Sequence, residues 1–173
     1  MKNLKKIVAL LLAGVMAMVM LTACSGGTTA DTEKEEAIRK QLGKRTEATS
    51  LCDRDGKVEN DSQLYKETAK LLDARIKAET SAFGILAVDF DVKGIDPVEQ
   101  YVTVTLSADY KTAGLVAGLI TKITEELGKI ESTNNSVKFD TEWAKAAVVV
   151  RTNEKGSYAA IAIQVKNIAY KGK

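Results

Sequence analysis

Apolar positions along this chain repeat with two different periods, and the switches between them predict its elements. Between Ser62 and Glu79, Tyr65, Ala69, Leu72 and Ile76 recur at spacings of four, three and four, with Lys66, Lys70, Asp73 and Lys77 on the opposite side. That is the period of an amphipathic helix. Residues 112–131 carry the most continuous stripe, Val116, Leu119, Ile120, Ile123, Leu127 and Ile130, and predict the strongest helix of the chain. A thinner pattern over residues 32–45, with Ala37, Ile38 and Leu42 as its apolar positions, predicts another. Asp31, Glu33, Glu35 and Glu36 open that stretch and Arg39, Lys40, Lys44 and Arg45 close it, the charge order that suits a helix macrodipole.

The period changes to two at Leu86, Val88, Phe90 and Val92, which alternate with Ala87, Asp89 and Asp91. After a Gly94-Ile95-Asp96-Pro97 loop, Val102, Val104, Leu106 and Ala108 repeat the alternation, so the two segments predict an antiparallel hairpin with one buried face. Residues 144–151 and 158–165, rich in Val, Ile and Ala, flank Thr152-Asn153-Glu154-Lys155-Gly156 and predict a second strand pair. The order is ααββαββ. It implies an α+β fold: a small four-stranded, mainly antiparallel sheet with two or three helices packed on one face. Gly114 and Gly118, four apart in the strongest helix, are expected to allow its close packing against the sheet.

Upstream of these elements lies a different kind of segment. Lys2, Lys5 and Lys6 precede a fifteen-residue apolar run, residues 7–21, which ends in Leu21-Thr22-Ala23-Cys24. A basic start, a short apolar stretch and small residues before the cysteine are the pattern of a secretory signal. The four closing residues resemble the lipobox of bacterial lipoproteins, with Leu21, Ala23 and Cys24 at the matching positions. That resemblance implies cleavage between Ala23 and Cys24, a diacylglyceryl group on the Cys24 thiol with further acylation such as palmitate, and attachment to the extracytoplasmic face of the cell membrane, or to the outer membrane in a Gram-negative source. Residues 1–23 would then be signal peptide and residues 24–36, rich in Ser, Gly, Thr and acidic side chains, a lipidated N-terminus and flexible tether. Residues 37–173 would form a single domain.

Charge changes the picture only once the signal is set aside. Three of the 25 basic residues lie before Cys24 and none of the 23 acidic ones do, so the remainder holds 22 against 23, a net of −1. So even a balance gives no electrostatic case for nucleic acid as a partner. With Cys24 assigned to lipid, Cys52 has no cysteine to pair with and is expected to pack as a small hydrophobe. The chain has no histidine.

The candidate chemistry is sparse. Asp53-Arg54-Asp55-Gly56-Lys57-Val58 matches the middle of an EF-hand loop, with Asp53 and Asp55 as the calcium ligands, but Leu51 and Ser62 stand where the first and twelfth ligands belong. An Asp/Gly turn is the expected role. Asp89 and Asp91 project from one face of a strand and form the pair of carboxylates that acid/base chemistry would use. Trp143, beside Phe139, is the sole tryptophan and is expected to anchor packing. No phosphate loop, nucleophile elbow or cysteine metal motif occurs, and no cofactor is expected.

The order of elements over residues 62–165 is similar to that of BON-type envelope domains, which are associated with binding at membranes. Leu72-Asp73-Ala74-Arg75 and the closing hairpin resemble parts of secreted CAP-superfamily domains, whose histidine-bearing cleft this chain does not have. Neither resemblance transfers a functional residue. The expectation that follows is a membrane-anchored envelope lipoprotein acting as a non-catalytic binding or interaction module, with an envelope protein or polymer as partner. The alternatives are a hydrolase-type envelope enzyme working through Asp89 and Asp91, or a small solute-binding lipoprotein.

Overall fold

The computed structural model describes residues 28–79, 86–113 and 116–172. The signal, the lipobox and Cys24 lie outside the described residues. The elements in chain order are β1 (Thr29–Ala30), α1 (Thr32–Leu42), a 3-10 turn (Thr46–Leu51), α2 (Ser62–Glu79), β2 (Asp89–Ile95), β3 (Val98–Asp109), α3 (Tyr110–Ala113), α4 (Val116–Thr133), β4 (Phe139–Asn153) and β5 (Gly156–Asn167). All pairings are antiparallel, and the sheet runs β1-β4-β5-β3-β2. The fold is α+β. The four long strands correspond to the two strand pairs expected, one from alternation and one from its Val, Ile and Ala content, and β1 adds a two-residue fifth at one edge.

The helices occupy both faces of the sheet, not the single face expected. Leu119, Ile120 and Ile123 of α4 and Ile38 and Leu42 of α1 share one core with Ala146, Val148 and Val150 of β4 and Ala159, Ile161 and Ile163 of β5. On the opposite face Ala69, Leu72 and Ile76 of α2 bury against Val149 and Ala160, and Leu64 against Ala147 and Ala162. The central strands β4 and β5 are therefore apolar on both parities, and the unbroken runs Ala146–Val150 and Ala159–Ile163 (residues 146–150 and 159–163) are the reason. Full burial of each Leu or Ile on either face contributes about 1.5–3 kcal/mol.

Three local expectations change. Residues 29–36, assigned to the tether, carry β1, the Asp31 cap and the first turn of α1, and Glu35 is itself buried. Leu86 and Val88 do not extend the β2 alternation, because Leu86 packs on the α2 side while Val88 is exposed; the strand proper begins at Asp89. Gly118 is exposed, and a Cβ built there would meet nothing within 4 Å, so it permits no close approach to the sheet. Gly114 lies outside the described residues. A glycine that packing does require is Gly43, after α1, where a Cβ would run into the Gly56 carbonyl oxygen.

Strand β4 would be an open edge beyond β1, yet its outward groups are taken one after another by the N-terminal part of the chain. Asp31 N–H donates to Val150 C=O at 3.2 Å and Asp61 N–H to Ala146 C=O at 2.9 Å. Glu35 accepts Val150 N–H at 2.9 Å. Asn60 accepts Val148 N–H at 2.8 Å and donates to Val148 C=O at 3.4 Å. A free strand edge invites pairing with another chain, and here side chains and loop amides close it.

Candidate functional site

Two groupings of polar side chains stand out, one buried beside the β4 edge and one on the β2–β3 part of the sheet, next to Arg75 of α2. The first is built on Glu35 and Arg151, each only 6 % exposed. Asp31 caps α1 through Lys34 N–H, which sets the helix so that Glu35, Ile38 and Leu42 face inward at spacings of three and four. Besides Val150 N–H, the Glu35 carboxylate accepts the Tyr65 hydroxyl at 3.0 Å and stands 3.8 Å from an Arg151 guanidinium nitrogen. Arg151 Nε in turn donates to Asp73 at 3.1 Å. Burial pushes the Glu35 carboxyl above its ordinary range despite these partners, and burial, with Glu35 next to it, raises Tyr65. Every member of this group holds a backbone or a neighbouring side chain, so its arrangement serves to clamp α1 and α2 onto β4.

The second grouping contains the carboxylate pair. Asp89 and Asp91 do share one face of β2, opposite Ser107 and Thr105 of β3. Arg75, from α2, forms an ion pair with Asp89 and donates to the Ser107 hydroxyl at 2.6 Å, so Asp89 is occupied. Asp91 stands 3.9 Å from Lys93 Nζ, and one of its oxygens is buried without a hydrogen bond. The two carboxylates thus have different cationic partners, Arg75 for Asp89 and Lys93 for Asp91. Further along the same face, Gln164 donates to Thr103 at 3.1 Å, and Tyr101 and Lys166 lie exposed as cross-strand neighbours. The result is a polar strip, buried at Ser107 and Thr105 and exposed at Tyr101 and Lys166.

The remaining sequence candidates have local roles. Asp53 Oδ1 accepts the N–H groups of Asp55 and Lys57, both at 2.9 Å, and these backbone donors hold its carboxyl below the usual range. Gly56 takes the positive φ of 71° that the turn needs, and Lys57 Nζ lies 3.9 Å from Asp55. This is an Asp/Gly turn whose first carboxylate is spent on its own backbone. Among the described residues no three His, Cys, Asp or Glu side chains converge as metal ligands. Cys52 is half-buried, with its sulfur 3.3 Å from Ala48 C=O and 3.7 Å from Gly43 C=O. It lines a shallow depression of about 300 Å³ with Ser50, Glu59 and Lys145. Trp143 is buried in the larger core.

A polar hub that the sequence does not announce is Asn167. Buried at the end of β5, it accepts Lys138 N–H at 3.0 Å and Ala169 N–H at 3.1 Å and donates to Ser136 C=O at 3.3 Å and Glu99 C=O at 3.4 Å. One side chain thus ties the start of β3, the loop before β4 and the segment after β5. No signal beyond a polar residue at a strand end marks it beforehand.

Among the described residues no helix is long and apolar enough to cross a membrane. No family model, characterised protein or solved structure matches this chain. The similarities to BON-type and CAP-superfamily domains therefore rest on element order and short segments alone. In the second of those segments Asp73 binds Arg151 and Arg75 binds Asp89, both as ties between helix and sheet.

Proposed function

We propose that this protein is a cell-envelope lipoprotein, held to the membrane through lipid on Cys24, whose domain binds a partner and performs no chemistry of its own. The observation that carries the reading is the spacing of the lipobox from the fold. Cys24 is five Cα-to-Cα steps from Thr29, at most about 18 Å of chain. An anchor that close suits a domain meant to work against the envelope surface, and two acyl chains give the stable attachment that one cannot. The non-catalytic half of the reading is supported by the carboxylate pair, since Arg75 occupies Asp89. The partly exposed Thr103, Gln164, Asp91, Tyr101 and Lys166 on one face of β2, β3 and β5 offer an envelope protein or polymer hydroxyl, amide and charged groups.

Mass spectrometry of protein extracted from membranes tests the anchor. The N-terminal peptide is expected to begin at Cys24 and carry diacylglycerol, and Cys24→Ser is expected to leave an uncut, unlipidated precursor. An unlipidated mature peptide beginning elsewhere contradicts the reading. Hydrolytic turnover by the purified chain that disappears in Asp91→Ala contradicts its non-catalytic part.

A further inference from the structure

The two edges of the sheet are treated differently. The outward groups of β4 are those of its even-numbered residues, Ala146, Val148 and Val150, and all three residues are capped from within the chain. In an antiparallel ladder a residue turns its N–H and C=O to the same side, and the side alternates from residue to residue. Followed through the pairs Val149↔Ala160, Leu106↔Ile161 and Asp91↔Thr105, that alternation turns the even-numbered residues Phe90 and Val92 of β2 outward, up to the register shift between Lys93 and Ile95. Phe90 N–H donates to the Asp89 carboxylate at 2.8 Å. Among the described residues no strand pairs with this edge.

The edge is also self-complementary. We infer that β2 is a docking edge for a second copy of this chain, the two β2 strands pairing antiparallel about a two-fold axis at Val92. In that register Val92 faces Val92 of the other copy as a hydrogen-bonded pair. Asp91 and Lys93 then face each other twice across the axis, as non-hydrogen-bonded pairs, the kind whose side chains come closest. Opposite charges at directly opposed positions stabilise such pairing and like charges oppose it. The regular pairing ends at Gly94, whose φ of 87° and register shift break the strand, so no side chain stands opposite the Phe90 ring. Phe90 and Val92 are only half-buried within one copy, so the pairing also covers apolar surface.

The register makes a test that fold stability alone does not pass. Asp91→Lys places two lysines opposite two lysines, and Lys93→Asp places two aspartates opposite two aspartates. Each variant of the full chain, in detergent, is expected to dimerise at least about tenfold more weakly than wild type by sedimentation equilibrium. Mixed in equal amounts they are expected to recover dimer. The Asp91→Lys chain then sets lysines at both positions against the two aspartates of the Lys93→Asp chain, so both cross-axis pairs are again of opposite charge. Lys166→Asp, the same charge change on β5 away from the edge, is expected to dimerise as wild type does. A monomeric wild type, a single variant that dimerises normally, or a mixture no more dimeric than its components overturns the proposal.

Discussion

The side chain of Asn60 pairs with both backbone groups of Val148, accepting its N–H at 2.8 Å and donating to its C=O at 3.4 Å. An amide carries one acceptor and one donor in the spacing of a peptide group, so a single residue stands where a neighbouring strand would. Asn60→Ala leaves both groups of a fully buried residue without their partner. The expected loss is about 1–3 kcal/mol, read as a fall in the urea midpoint with unchanged slope. A variant as stable as wild type would show that the edge does not need this closure.

Glu35 makes the pH dependence of stability testable. Its folded carboxyl is raised above the ordinary 4.5 by burial, so the folded state holds the proton more tightly than the unfolded chain does. Stability from this group is therefore complete below about 4.5 and is lost as pH rises through the folded value. Asp31, Glu47 and Asp61 are depressed and act in the opposite direction, losing stability as pH falls, but they cancel in a comparison with Glu35→Gln. The stability of wild type relative to Glu35→Gln is expected to increase as pH is lowered from neutrality toward that window. A difference that is flat or decreases would remove burial as the dominant effect.

Asn167 holds four backbone groups from three segments. Asn167→Ala is expected to destabilise by about 2–4 kcal/mol, since four backbone groups lose the donor or acceptor that holds them. Asn167→Asp keeps the two acceptor contacts, to Lys138 and Ala169, and loses the two donor contacts. Hydrogen exchange at Lys138 and Ala169 is expected to rise sharply in the alanine variant and less in the aspartate variant, and equal exchange in both would contradict the hub.

Two glycines give opposite predictions. Gly43→Ala forces a methyl into the Gly56 carbonyl, a backbone atom that cannot swing aside, and is expected to cost about 1–3 kcal/mol. Gly118→Ala meets open space on an exposed helix face and is expected to gain about 0.4–1 kcal/mol, because alanine loses less conformational freedom on helix formation. Thermal midpoints of the two variants decide it; a shift of the same sign in both would defeat the argument.

Local physics was legible in the chain itself. Helical spacing placed α2 at Ser62–Glu79, alternation placed β3, and the Asp/Gly pattern at Asp53–Gly56 (residues 53–56) marked a turn, since each depends on neighbours within a few residues. The runs at residues 146–150 and 159–163 also carried the information that β4 and β5 bury both faces, because apolar side chains of both parities must be covered. What only the tertiary structure decided are the contacts that span long stretches of chain. The acidic start of α1 reads as a solvated helix end, and nothing nearby says that Glu35 will be buried on Val150 N–H, 115 residues away. Asn60 and Asn167 carry no local mark of their roles for the same reason. Arg75 and Asp89 become an ion pair only once α2 crosses the sheet. A polar side chain has the same local signature whether water or a distant backbone amide satisfies it. The burial that makes the difference exists only after the faces have been assigned and the edges closed.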